Sequence, residues 1–469
     1  MLNYLPKYFS SKAVSLYIGA LVLCNILFFN RMLSPMFWVF GIVEVFAFFY
    51  FSNRLTRKLA NSSEKLFVKK LFQIALIIRV VWVVFSYFFY SAMTGKPFEW
   101  GAADALGYHG TAEWIVDLLN MGKLQVFIDS LENRYSDMGY SLYLGLQYFV
   151  TDKSIFIARI LKAVYSAYTC VLIYQLAKRN FGAETGRMAA IFCMLMPNLI
   201  FYTGLHTKEV EMVFLTVAFM ERTDKLLRGK KYSFSTLILP LLLAGSLFFF
   251  RTILGATAVF ALFTTLIFST NKVLGMGKRT LLIIWVLVTA GYFVGGKLAS
   301  EVESVWAARN QTQQTSMEWR STRDNGNKFS KYAGGAVFAP MIFVIPFPTM
   351  VGTPNQENQQ IINGGNYVKN IMAFFTLFAL FLIIKTKRWR EYLLIGSFTI
   401  GYLIVLALSP FAQSERFHQP ALPFILILSA YGVTQLTNKT KKYYTWWLML
   451  IFVAIVGWSW FKLAGRGLA

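Results

Sequence analysis

Long apolar runs recur along the chain and are separated by short polar segments. A membrane-spanning helix needs roughly 20 predominantly apolar residues. The pattern therefore predicts an all-α polytopic membrane protein with about thirteen transmembrane helices. The predicted spans lie near 13–29, 34–52, 70–92, 154–177, 188–203, 207–221, 234–250, 252–270, 281–297, 369–384, 391–409, 421–436 and 444–462.

Two shorter apolar stretches, 138–150 and 337–350, are interrupted by Gly or Pro. Each adjoins a long polar segment, about 93–153 and 298–368 respectively. Stretches of this length are typical of juxtamembrane or re-entrant helices. Long loops are uncommon unless they serve a function, so these two segments are the first places to look for a site.

Lysine and arginine collect in the short loops, which predicts the orientation. Basic loops stay on the cytoplasmic side of a membrane. If 138–150 does not cross, all of these clusters fall on one side and both long segments fall on the other. The basic segments are 1–12, 53–69, 178–187, 222–231, 271–280, 385–390 and 437–443.

Composition supports the membrane assignment and narrows the function. Only 14% of residues are charged and 56% are hydrophobic, whereas a soluble domain carries about 25% charged residues. Cytosolic enzymes, secreted domains and disordered proteins are excluded. The net charge of +24 follows from the basic loops, so we expect no nucleic-acid partner. Cys24, Cys170 and Cys193 lie inside apolar runs and are interpreted as core residues.

Asp104 is the first candidate for chemistry, because it follows the third predicted span at the non-cytoplasmic boundary. A carboxylate that is partly removed from water can act as a general base. The alternative is structural, since Asp is also a common helix N-cap.

Lys208 and Glu209 stand at the head of a predicted span that follows a tight turn. Ionisable residues at this depth are rare and usually functional. A glutamate there also interacts favourably with the helix dipole, so both interpretations stay open for Glu209.

Arg251 and Arg416 lie at turns on the same face. A guanidinium matches the geometry of a phosphate, and a lipid-linked phosphate would arrive at this depth. Snorkelling of either side chain toward the interface is the alternative.

All three histidines, His109, His206 and His418, map to this face. A metal site formed with Asp104 and Glu209 is the less favoured interpretation, because no two histidines have metal-ligand spacing. Within the spans, Glu44 and Arg79 are interpreted as a structural ion pair. The chain has no Walker loop and no dinucleotide fingerprint, so a donor is expected to arrive through the membrane.

The order of these features, from about residue 70 to 436, resembles the GT-C superfamily of membrane glycosyltransferases. The branch in question contains the protein O-mannosyltransferases and the lipid A aminoarabinose transferase. The matching features are Asp104 with Tyr108, the segment 136–143, the span containing Arg159 with its end at 176–182, the stretch 196–209, Phe250 with Arg251, and the turn 416–423.

The resemblance implies an inverting transfer of a sugar from a polyprenyl phosphate to a glycolipid, glycan or protein acceptor. Asp104 would be the base with Glu209 assisting, and Arg251, Arg416 and Lys208 would bind the donor phosphate. No metal is required, although a divalent cation could bind. Residues expected to contact acceptor or sugar are Tyr108, His109, Tyr140, His206, His418, Trp319, Arg320 and Arg323.

The resemblance also suggests a division of the chain into four regions. Residues 1–69 form a two-span extension, 70–297 the catalytic membrane core with outer loop 93–153, 298–368 a cover over the site, and 369–469 the C-terminal helices. The expected location is a bacterial plasma membrane, with the site facing outward. A polymerase or ligase that uses a polyprenyl-diphosphate glycan is the main alternative, and a lipid-linked sugar flippase is another.

Overall fold

The structure is a computed structural model that describes residues 5–131, 138–229, 234–270, 273–277, 279–284, 314–322, 326–332 and 335–468. In these ranges the regular elements are helices, and Met32 and Val351 form an isolated bridge. A further helical stretch covers 314–322. The helices are α1 (Lys7–Leu27), α2 (Pro35–Leu59), α3 (Glu64–Thr94), α4 (Ala103–Asn120), α5 (Leu124–Ser130), α6 (Met138–Thr151), α7 (Ile155–Phe181), α8 (Ala183–Leu195), α9 (Pro197–Phe201), α10 (Glu209–Arg228), α11 (Phe234–Phe250), α12 (Thr252–Phe268), α13 (Gly335–Phe338), α14 (Glu357–Ile361), α15 (Asn363–Lys385), α16 (Leu393–Ala407), α17 (Glu415–His418), α18 (Leu422–Thr434) and α19 (Thr440–Ala464).

Among the described residues, six helices are long and apolar enough to cross a membrane: α1, α2, α3, α7, α15 and α19. The segment Pro197–Gly204 meets α8 at 54°, and the two together would make a seventh span. Four shorter apolar helices, α11, α12, α16 and α18, accompany them. The described residues therefore show a helical membrane protein, but the thirteen predicted spans are not confirmed.

Two predicted spans account for part of this difference. The span at 281–297 lies almost wholly outside the described residues. The span at 207–221 corresponds to α10, a helix of 20 residues that carries acidic residues in its first turn and basic residues in its last and is not among the helices apolar enough to cross a membrane. The stretch 138–150 forms α6, a helix of 14 residues that packs against α4 and is too short to span.

The break between α8 and α9 is stabilised by a buried arginine. Pro197 has no N–H, so it cannot donate to the Cys193 carbonyl four residues earlier. Arg79, which is fully buried in α3, donates to the Cys193 carbonyl (3.3 Å) and the Met194 carbonyl (3.1 Å). Its Nε also donates to Ser166 Oγ at 2.6 Å. The charge of Arg79 is therefore used to satisfy carbonyls that the bend releases.

Glu44, the predicted partner of Arg79, contacts a different helix. Its carboxylate accepts a hydrogen bond from the backbone N–H of Gly365 at 2.9 Å. Gly365 lies in the first turn of α15, where backbone N–H groups lack helical partners. Glu44 thus caps α15, and the predicted ion pair with Arg79 is wrong, because among the described residues the two side chains have different partners.

A polar cluster joins the C-terminal ends of α7 and α10. Arg179 contacts Glu221 and Asp224, both at 2.8 Å, and Arg228 contacts Asp224 at 2.9 Å. The Glu221 and Asp224 side chains are only 1% and 3% exposed. Because each buried carboxylate has a guanidinium partner, the cluster fixes these two helix ends against each other.

Candidate functional site

Arg416 joins two carboxylates that are far apart in sequence. Its Nη1 donates to Asp104 Oδ2, and its Nε donates to Glu209 Oε1. Asp104 lies at the start of α4, Glu209 begins α10, and Arg416 lies in α17. The structure therefore brings together three of the residues that the sequence singled out.

The position of Asp104 decides one of the open alternatives. The N-cap of α4 is Ala102, and Asp104 is the second helical residue. The interpretation of Asp104 as the N-cap is therefore wrong. Its side chain is 59% exposed and makes its ion pair with Arg416 at the surface. A carboxylate in the first turn still interacts favourably with the helix dipole.

Lys162 of α7 holds the backbone of the turn that precedes α10. The Lys162 ammonium donates to the carbonyl of Leu205 at 3.2 Å and to that of Thr207. It also lies 3.6 Å from the Glu211 carboxylate, and both side chains are at most 5% exposed. A buried cation thus anchors the backbone from which Lys208 and Glu209 project.

Lys208 and Arg251 add two cations near this group. The Lys208 ammonium donates to the carbonyl of Phe250 at 3.2 Å, which brings the starts of α10 and α12 together. Arg251 is the N-cap residue of α12, and its guanidinium lies 4.1 Å from the centre of the Phe417 ring. Burial, together with the charge of Arg251, lowers the pKa of Lys208 to about 7.

Tyr108 and Tyr140, both predicted site residues, lie next to the cations Lys208 and Lys162. The Tyr108 and Tyr140 rings meet edge to face, with centres 4.9 Å apart. Lys208 lies 5.8 Å from the Tyr108 ring, and Lys162 lies 5.0 Å from the Tyr140 ring. Burial raises the pKa of Tyr108 to about 12, so its hydroxyl stays protonated at neutral pH. The aromatic faces lie close to both cations.

Two of the histidines belong to one hydrogen-bonded chain. Tyr148 Oη lies 2.7 Å from His109 Nδ1 and 2.9 Å from His206 Nε2. His109 Nε2 lies 3.7 Å from the exposed Glu113 carboxylate. His206 is fully buried, and its Nδ1 has no hydrogen-bond partner within the described part of the chain. Burial and the nearby Lys162 hold the pKa of His206 well below its usual value, so its ring is neutral.

His418 has a different environment from the other two histidines. It is buried, its Nδ1 accepts from the Lys369 ammonium at 2.6 Å, and its Nε2 lies 2.8 Å from the Ala412 carbonyl. Lys369 also donates to the carbonyl of Ile345. His418 therefore anchors α17 to α15, and the prediction that it contacts acceptor or sugar is not supported by these contacts.

The cover predicted at 298–368 is described only in part. Trp319 is 58% exposed, and Arg320 donates to the carbonyl of Pro410 at 2.6 Å. Arg320 thus contacts the segment that leads into α17. Arg323 lies outside the described residues.

Several charged residues at the site were not predicted to be site residues from the sequence. Arg159 is fully buried and donates to the carbonyl of Pro97, while its Nε and Nη1 have no hydrogen-bond partner among the described residues. Glu99 is 8% exposed, its Oε2 has no hydrogen-bond partner in the same part of the chain, and burial raises its pKa. Glu415 accepts a hydrogen bond from Tyr202 at 3.3 Å. Arg159 and Lys162 could have been recognised from the sequence, because both lie inside an apolar run, where charged residues are rare.

Among the described residues, no group of three or more His, Cys, Asp or Glu side chains could hold a metal ion. No family model matches the chain, and comparison with curated proteins and with solved structures gave no match. The resemblance to the GT-C superfamily therefore stays a prediction from the sequence.

Proposed function

We propose that the protein is an inverting membrane glycosyltransferase. It moves a sugar from a polyprenyl phosphate to a hydroxyl group of a lipid, glycan or protein acceptor. The observation that carries this proposal is the grouping of one exposed carboxylate, Asp104, with the cations Lys208, Arg251 and Arg416. We assign the site to the non-cytoplasmic side of the membrane, because the basic loops lie toward the opposite ends of the helices. The membrane we propose is a bacterial plasma membrane.

The charge change of the reaction explains the need for several cations. The donor is a phosphodiester with one negative charge, and the departing polyprenyl phosphate carries up to two. The cations therefore bind the transition state more tightly than the donor, which is the requirement for catalysis. Lys208 and Arg251 are the N-cap residues of α10 and α12, where the backbone also favours anions.

Asp104 has the other role in this proposal. The acceptor oxygen attacks the anomeric carbon, the bond from that carbon to the phosphate oxygen breaks, and the acceptor proton passes to the Asp104 carboxylate. The electron pair of the broken bond leaves with the phosphate. The exposure of Asp104 allows an acceptor to reach it. Glu209, which is buried, holds Arg416 in place.

The test is transfer of a radiolabelled sugar from a panel of polyprenyl-phosphate sugars by purified protein in lipid. Asp104→Asn keeps the shape of the side chain and should lower transfer by about 100-fold or more, as expected for loss of a general base. Asp117→Asn is the matched control, because Asp117 is also an exposed, ion-paired carboxylate on α4. Its transfer rate should equal that of the wild type.

Other outcomes of the transfer assay would indicate a different base or a different function. Equal transfer by wild type and Asp104→Asn would retain the enzyme and exclude Asp104 as the base. Consumption of a diphosphate-linked glycan, with every monophosphate donor inert, would favour the polymerase or ligase. If neither donor class reacts, transport of a lipid-linked sugar becomes the function to test.

A further inference from the structure

The ion pair between Arg416 and Asp104 opposes the proposed roles of both residues. The Arg416 guanidinium occupies Asp104 Oδ2, so it competes with an acceptor hydroxyl for this carboxylate. A guanidinium that is already paired with two carboxylates is also less available to a phosphate. The arrangement in the structure is therefore a resting state, and one contact has to open before the chemistry proposed above can occur.

The two carboxylates on Arg416 differ in a way that identifies the contact that opens. The Glu209 side chain is 1% exposed, and that of Asp104 is 59% exposed. Glu209 begins α10 directly after the turn that Lys162 anchors. Separating a buried pair leaves an unpaired charge away from solvent, whereas a surface pair separates at little cost. Asp104 is therefore the exchangeable partner.

The neighbouring cations show what would replace Asp104. Arg251 and Arg416 both lie against the Phe417 ring, at 4.1 and 6.0 Å from its centre. Lys208 contacts the backbone of Phe250, the residue before Arg251. Lys208 is close enough to Arg251, Arg416 and Asp104 to interact with each of them electrostatically, so an anion at this position lies in the field of three cations. Among the described residues, the ion pair of the Asp104 carboxylate is with Arg416. A phosphate ester has more acceptor oxygens than a carboxylate and can use more of these donors.

We propose that the phosphate of a prenyl ester displaces Asp104 from Arg416, and that this exchange frees the carboxylate to act as the base. The exchange rests on the proposed function, since it concerns the same site. It predicts an order of events in which the donor binds before the acceptor is deprotonated. When the reaction ends, return of Asp104 to Arg416 competes with the polyprenyl phosphate and assists its release.

The first test measures binding, so it requires no transfer activity. Farnesyl phosphate is titrated into purified protein in lipid nanodiscs, with wild type, Asp104→Asn and Asp117→Asn side by side. Removing the competing carboxylate should tighten binding by about tenfold in Asp104→Asn, the ratio that corresponds to 1.4 kcal/mol. Asp117→Asn removes the same charge from the same helix and should bind as the wild type does. Equal or weaker binding by Asp104→Asn overturns the exchange.

The second test uses the wild type alone and so does not depend on the folding of a variant. Carboxylate footprinting by mass spectrometry should show that farnesyl phosphate increases the labelling of Asp104 and leaves that of Asp117 unchanged. Unchanged or reduced labelling of Asp104 at saturating farnesyl phosphate overturns the exchange.

These experiments separate the failure of the exchange from the failure of the function. If farnesyl phosphate binds and sugar is transferred, but neither binding nor labelling responds at Asp104, the exchange is wrong and the transferase stands. If no form of the protein binds farnesyl phosphate, the phosphate site is wrong and the exchange is wrong with it.

Discussion

The affinity of the site for a phosphodiester should fall as the pH rises from 6 to 8. The cause is Lys208, whose pKa is lowered to about 7, chiefly by burial. At pH 6 about nine in ten Lys208 side chains carry a charge, and at pH 8 about one in ten does. The bound phosphate favours the charged form and raises the pKa of Lys208 in the complex. The apparent dissociation constant should therefore increase about tenfold over this range, equivalent to about 1.4 kcal/mol.

The sign of the effect depends on which group titrates, so the ligand has to keep a constant charge. Phosphomonoesters lose a second proton near pH 6. Farnesyl phosphate is such a monoester, so its own charge would change over the measured pH range. Methyl farnesyl phosphate, a diester, keeps one negative charge throughout. Its binding to protein in nanodiscs can be measured by titration calorimetry at half-unit pH intervals.

Two variants at the same position serve as controls. Lys208→Arg keeps a positive charge at every pH, because a guanidinium does not lose its proton in this range. It should bind the diester with no dependence on pH. Lys208→Gln should bind weakly and also without pH dependence. A flat profile for the wild type, or a slope that persists in Lys208→Arg, would refute the assignment of the titration to Lys208.

Three further predictions concern the scaffold and can be checked by thermal unfolding in detergent. Lys162→Met should destabilise the protein by about 3–5 kcal/mol because the buried Glu211 carboxylate loses its ion pair, and adding Glu211→Gln should recover part of the loss. Tyr148→Phe should cost about 1–3 kcal/mol, because it leaves two histidine nitrogens without their shared partner. Gly204→Ala should cost about 1–3 kcal/mol, since its Cβ would lie 2.3 Å from Ser86 Oγ. Gly107→Ala, inside α4, meets open space and should instead stabilise the protein by about 0.5–1 kcal/mol, because alanine has the higher helix propensity.

The membrane class and the polar turns could be predicted from the sequence because both depend on local signals. Apolar runs of sufficient length identify spans one at a time, and the structure confirms a helical membrane protein. Asp104, Glu209 and Arg416 stood out because ionisable residues are scarce in such a chain. Their direct contact required the fold, since residues 104 and 416 are brought together by helices that the sequence does not order in space.

Where the structure differs from the sequence predictions, the cause is a contact between helices that a hydropathy pattern does not contain. α10 looked like a span from its central apolar residues, but its buried carboxylates are paired with cations on α7. A buried ion pair permits a charged helix inside the protein. His206 and His418 were grouped with His109 because all three map to one face, yet His206 contacts Tyr148 and His418 contacts Lys369. Which neighbour a histidine receives is a property of helix packing.

The pairing of α7 with α10 also indicates which part of the site is free to move. Lys162 and Glu211 connect the two helices near their starts, and Arg179 connects them to Glu221 and Asp224 near their ends. Sliding or rotating α10 against α7 would break ion pairs at both ends, which resists such motion. Glu209 and Lys208, at the head of α10, are therefore held in place. A rearrangement that opens the site has to occur on the other side of Arg416, at the exposed start of α4.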